Sequence, residues 1–132
     1  KLTSSLWLFA VHGNNADIIH ILESNNVIPA NNSYLDVIIE SIKCHNENLT
    51  RYLIDNYANC NSNEICFLKC LQEYNFASIP ENADYKSVFY YLCKYDHAKI
   101  VDFLLKTNEI DVNLQNEREI LNNEKIFIIM FF

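Results

Sequence analysis

Glycine is nearly missing from this chain: Gly13 stands alone among 132 residues, and proline occurs only at Pro29 and Pro80. A phosphate-cradling loop or a glycine-rich nucleotide turn needs several glycines, so both are excluded. The tight turns of β-hairpins are equally short of material, while helix interiors are left almost free of breakers. Positive charge is also scarce, 10 Lys and Arg against 17 Asp and Glu, for a net charge of -7. That is the wrong sign for a surface that follows phosphates, and no nucleic-acid partner is expected. No apolar run approaches the roughly 20 residues of a membrane-spanning helix, so no membrane span is expected. The G-x-S-x-G and H-E-x-x-H patterns are absent as well, and neither an enzymatic activity nor a cofactor is expected.

Half of the residues are hydrophobic and 20% are charged, a composition that folds around a core. Apolar residues recur at helical spacing in Leu6, Phe9 and Ala10; in Ile18, Ile21 and Leu22; in Leu35, Ile38, Ile39 and Ile42; and in Ile100, Phe103 and Leu104. Each set is read as a buried helix face. Short and long breaks alternate between them, as in helix pairs joined by tight turns and longer returns. The reading is all-α, with about seven helices near 4–12, 16–24, 34–44, 47–57, 64–74, 85–95 and 98–107. Residues 117–125 could begin an eighth helix. Trp7 lies on a helix that is apolar on nearly every side, and its burial is expected.

The run Asp17-Ile18-Ile19-His20-Ile21-Leu22 aligns with Lys99-Ile100-Val101-Asp102-Phe103-Leu104 and loosely with Asn48-Leu49-Thr50-Arg51-Tyr52-Leu53. Ile18 and Leu49 are 31 residues apart, close to an ankyrin period of about 33. Leu49 and Ile100 are 51 apart, a period plus an extra helix. In the stretches Ser5 to Asn14 with Ile18 to Leu22, and Asp96 to Leu105 with Asp111-Val112-Asn113, the chain resembles the ankyrin-repeat family. Leu8 to Gly13, Glu40 to His45 and Phe89 to Tyr95 are similar to the uncharacterised ankyrin-associated domain of large protist ankyrin proteins. The Thr-Pro-Leu-His stretch of the family is absent, and Asn14, His45 and Asp96 stand where its helix-joining turn usually has glycine.

The resemblance implies an ankyrin-like helix-pair solenoid with irregular repeats over residues 1–113 and a C-terminal extension over 114–132. It also implies a non-catalytic module whose partner is another protein. The candidate contact residues are His12, Lys43, Lys94 and Tyr95 on the inner wall, and Asn31 and Tyr85 at loop tips. A second reading is a structural cap or spacer of a longer ankyrin array, and a third is a zinc-binding helical domain. Lys1 in first position, where Met would begin a chain, is read as the start of a fragment.

Cys66-x-x-x-Cys70 and Cys93-x-x-x-His97 each set two metal-ligand types one helical turn apart. Their neighbours Ile65, Phe67, Leu68 and Leu71 favour core cysteine, and no metal ligand is assigned. Asp96 is expected to cap the helix that follows it. His12, His20 and His45 have no Ser, Cys or carboxylate at motif spacing and are read as structural or solvated. Tyr85, Tyr90, Tyr91 and Tyr95 crowd one expected helix. Five cysteines cannot all pair within one chain, which points to a reducing intracellular, cytoplasmic setting. The apolar tail, residues 126–132, is expected to pack on the last helix pair or on a second copy of the chain, unless it is the stub of a cut repeat.

Overall fold

A computed structural model describes residues 1–107, 109 and 110. Among the described residues there are seven α-helices and no strand: α1 Leu6–His12, α2 Ala16–Ser24, α3 Tyr34–Lys43, α4 Glu47–Tyr57, α5 Cys60–Gln72, α6 Phe89–Lys94 and α7 Ala98–Lys106. Short 3-10 turns occupy Ala30–Asn32 and Phe76–Ser78. The all-α expectation holds. The largest differences in extent are at α5, which begins four residues earlier than its apolar spacing suggested, and α6, which begins four residues later. The proposed eighth helix and the apolar tail lie outside the described residues.

The residues form two compact units, Lys1–Glu81 and a second that begins at Asn82. In the first, α1 packs on α2 and α3, and α3 packs on α4 and α5. The chain after α5 does not form a partner α-helix but the 3-10 turn Phe76–Ser78, which packs on α4 and α5. In the second unit α6 packs on α7.

One backbone device closes these helices. After α1 the amide of Asn15 donates to Ala10 O at 2.8 Å and that of Asn14 to Val11 O at 2.9 Å. The same pair of bonds follows α3 (Asn46 to Ser41, His45 to Ile42), α5 (Asn75 to Cys70, Tyr74 to Leu71) and α6 (His97 to Leu92, Asp96 to Cys93). This 6→1 and 5→2 pattern is the Schellman motif, which satisfies carbonyls that a helix end would otherwise orphan. It requires a left-handed residue, and Asn14, His45, Tyr74 and Asp96 have φ of 50°, 55°, 56° and 59°. Asn26 closes α2 in the same way, with φ 52°. The lone Gly13 has φ -79° and takes no such position.

The turns also bind each other. Asn46 Nδ2 donates to Val11 O at 2.6 Å, and Asn75 Nδ2 donates to Ile42 O at 3.0 Å. Val11 and Ile42 hold equivalent places, three residues before the left-handed residue of their own turns. Asn46 therefore ties the turn after α3 to the end of α1, and Asn75 ties the turn after α5 to the end of α3. Between α3 and α4, Thr50 Oγ1 donates to Ser41 Oγ and Ser41 Oγ to Ile38 O, so the buried hydroxyls are paired.

Trp7, Val11, Ile19, Leu22, Ile38, Ile42 and Leu53 are fully buried and form the core of the first unit. Trp7 meets Tyr34 and Tyr57 edge-on, those two rings stack at 4.0 Å, and the indole N–H donates to Val27 O at 2.7 Å. The expected faces of three helices need correction. On α1 the buried set is Trp7, Ala10 and Val11, whereas Leu8 and Phe9 are exposed. On α2 it is Ile19 and Leu22, whereas Ile18 and Ile21 face outward; on α7 Leu104 is buried and Phe103 exposed. In each case adjacent apolar residues made two registers possible, and packing chose one.

Two substitutions test this description by urea unfolding. Trp7→Ala removes the ring and its hydrogen bond, and a loss of about 3 to 5 kcal/mol is expected. His45→Gly relieves a left-handed L-residue at an exposed position. A gain of roughly 0.5 to 1 kcal/mol is expected after allowing for the greater freedom of glycine in the unfolded chain.

Candidate functional site

The outward side of α1 carries Leu8, Phe9 and His12, with His12 four residues after Leu8 and three after Phe9, so that it stands beside both on one face. On α3 the corresponding positions, 31 residues later, are Ile39, Glu40 and Lys43. The two faces meet. His12 Nδ1 lies 3.0 Å from Glu40 Oε1, and Lys43 Nζ lies 3.8 Å from Glu40 Oε2. Cys44 completes the group, with Sγ 3.5 Å from His12 Nδ1 and 3.7 Å from Glu40 Oε1.

The electrostatics follow from these contacts. The hydrogen bond from His12 holds the Glu40 carboxyl below its usual range; partial burial opposes this, and Lys43 and Cys44 add to the lowering. Burial, together with the neighbouring Glu40 carboxylate, pushes the Cys44 thiol up. Among the described residues this is the one group of three His, Cys, Asp or Glu side chains whose ligand atoms converge.

The ankyrin resemblance selects His12 and Lys43 as contact candidates but not Glu40, Cys44 or Phe9. Glu40 and Cys44 were detectable as an i, i+4 pair, the same signal seen in Cys66/Cys70. Their approach to His12, 28 and 32 residues away, was not. His12 thus has Glu40 and Cys44 as partners although no motif spacing relates them, and its side chain is largely exposed, as a solvated histidine is.

Lys94 ends α6 at the turn position that His12 and Lys43 hold in theirs, and its Nζ lies 5.7 Å from the Tyr90 ring centroid. Tyr95 stacks with Tyr91 at 6.1 Å. Only Tyr90 and Tyr91 of the expected tyrosine helix lie within α6; Tyr85 is in the preceding turn and Tyr95 caps the end. Asn31 sits at an exposed turn with φ 57°. His12 and Lys43 thus share Glu40, and Lys94 and Tyr95 are neighbours on α6, whereas Asn31 lies apart in its loop.

Cys66 and Cys70 are buried on α5, and burial pushes their thiols up to about 11 and about 12. Cys93 is buried beside Leu92 on α6, and its thiol is pushed up by burial. Asp96 does not cap α7: it adopts the left-handed turn conformation, and the buried His97 occupies the cap position.

A second polar group forms where α2 meets α4. Glu23 Oε1 accepts from Tyr57 Oη and, at 2.8 Å, from Tyr52 Oη, while Oε2 lies 3.0 Å from His20 Nδ1. Burial acts to raise the Glu23 carboxyl, but the hydrogen bonds from Tyr57, Tyr52 and His20 together outweigh it and hold the group below its ordinary value. The Tyr57 hydroxyl is pushed up by burial and by Glu23, and that of Tyr52 by its bond to Glu23 and by burial. The group binds α2 to α4 through charge-assisted bonds.

Comparison of the chain with protein-family models, with curated proteins and with solved structures finds no match.

A carboxyl lowered on folding stabilises the fold above its unfolded-state value, and that contribution is lost as pH falls through the folded value. The urea midpoint of the protein is therefore expected to drop between about pH 5 and pH 3. Glu23→Gln should start from a lower midpoint at pH 7 and fall less steeply. Equal slopes for the two proteins would remove Glu23 from this account.

Proposed function

We propose that the chain is a non-catalytic protein-interaction module, built as an ankyrin-like stack of helix hairpins, in which the outward side of α1 and α3 receives another protein. Three features support the stacked reading. Inner helices α1, α3 and α5 pack in succession; their left-handed turn residues Asn14, His45 and Tyr74 are spaced by 31 and 29 residues; and a side-chain bond joins each turn to the one before it. An ankyrin period is about 33 residues.

The observation that carries the binding reading is Phe9, 73% exposed, with Leu8 at 41%, on a helix whose other side is fully buried. Covering a phenylalanine ring is worth about 1.5 to 3 kcal/mol, and aromatic residues set among polar neighbours are favoured anchors for partner proteins. His12, Glu40 and Lys43 supply that polar surround. Lys94 and Tyr95 occupy matching turn positions in the second unit, and Asn31 and Tyr85 are the loop candidates. Free thiols at Cys44, Cys66, Cys70 and Cys93 fit a reducing, intracellular setting.

Phe9→Asp tests the reading. Because Phe9 is on the surface, its unfolding free energy is expected to stay within about 0.5 kcal/mol of the parent. Partner retention in a crosslinking pull-down should be lost, while Asp55→Ala, an exposed change on α4, should retain it. Identical retention by the parent and Phe9→Asp would overturn the proposal.

A further inference from the structure

We propose that His12, Glu40 and Cys44 form a site for a divalent transition metal of the zinc type, with three protein ligands and an open fourth position. The site does not rest on the protein-binding reading, and it departs from the sequence reading, which assigned no metal ligand. The donor set comes from two packed helices and not from a flexible loop. Glu40 lies on the last turn of α3 and Cys44, four residues on, caps its end, and His12 is brought to them from the end of α1.

Its position is fixed by the turn linkage. The bond from Asn46 Nδ2 to Val11 O holds the residue before His12 against the turn that contains Cys44. Zinc bonds of about 2.0 to 2.3 Å in tetrahedral geometry place neighbouring ligand atoms about 3.3 to 3.7 Å apart. The Cys44 Sγ separations of 3.5 Å from His12 Nδ1 and 3.7 Å from Glu40 Oε1 match those edges. The His12 to Glu40 separation of 3.0 Å is a hydrogen-bond length, and it needs to open by only about 0.3 Å once the metal replaces the shared proton.

Thiolate, imidazole and carboxylate together suit zinc and its transition-metal neighbours, whereas magnesium and calcium prefer oxygen throughout. On binding, the S–H bond of Cys44 breaks, its proton goes to solvent and a metal–sulfur bond forms. The imidazole coordinates through the Nδ1 lone pair with its proton on Nε2, and no electron is transferred. Lys43 Nζ, 3.8 Å from Glu40, is on a half-exposed side chain that can turn away from the cation. The His12 side chain is 73% exposed, so the fourth position is open to water or to a donor from another molecule.

The test is zinc titration of the full chain, stripped with chelator and followed by calorimetry, together with cobalt(II) absorption. The expected result is one zinc per chain, with affinity reduced by more than about tenfold in His12→Ala and in Cys44→Ser, and unchanged in His20→Ala. Cobalt should give sulfur-to-metal charge-transfer absorption in the parent and none in Cys44→Ser. Circular dichroism checks each fold; if Cys44→Ser does not fold, His12→Ala, altered at an exposed side chain, decides. No zinc uptake by the parent, or equal uptake by His12→Ala, which would put the metal on other thiols, overturns the proposal.

Discussion

The structure depends on reversing a helix within three residues and then fastening that reversal to its neighbour. A Schellman turn accomplishes the first step, because its two backbone bonds consume carbonyls at the helix end and point the chain back along the way it came. Asn46 and Asn75 accomplish the second, by donating to the carbonyls of Val11 and Ile42 in the preceding turn. Each of those carbonyls then accepts two bonds, one from its own turn and one from the next hairpin. Order along the first unit is thus carried by a chain of hydrogen bonds at the helix ends as well as by the apolar core.

Fixing the ends of α1 and α3 fixes their rotation, and rotation decides which apolar residues are spent on the core. Trp7, Ala10 and Val11 go inward, so Phe9 and Leu8 must stand out. The same rotation aims His12 at Glu40 and Cys44. The exposed ring and the convergent ligand atoms are therefore two results of one constraint. The contact and coordination proposed for them would need no pocket.

Much of the fold was legible in the sequence, for identifiable reasons. Helix content followed from the lack of glycine and proline, and the ankyrin resemblance put Asn14, His45 and Asp96 where a helix-joining turn usually has glycine, which is where the left-handed residues stand. Tyr74 was not, since a bulky aromatic residue gives no turn signal and packs here against Phe76. Trp7 was expected to be buried and is, but the faces of α1, α2 and α7 were misjudged where apolar residues were adjacent, because periodicity alone cannot separate Phe9 from Ala10, Ile18 from Ile19 or Phe103 from Leu104. Of the polar group at the ends of α1 and α3, the resemblance names His12 and Lys43 as contact candidates on an inner wall, whereas Glu40 and Cys44 join His12 only through contacts made across about thirty residues.

The same constraint explains a composition with 19 asparagines and one glycine. Glycine would enter the left-handed conformation with less strain, but it has no side chain with which to reach a neighbour. Asparagine tolerates that conformation at positions 14, 26, 31 and 32, and at the next turn position its amide can act as a donor. Asn15 accepts from Ile18 N and caps α2, whereas Asn46 and Asn75 each reach back to the helix end before them. One residue type therefore serves as turn former, helix cap and link between hairpins, according to what lies within its reach. A chain that closes its helices this way has little need of glycine.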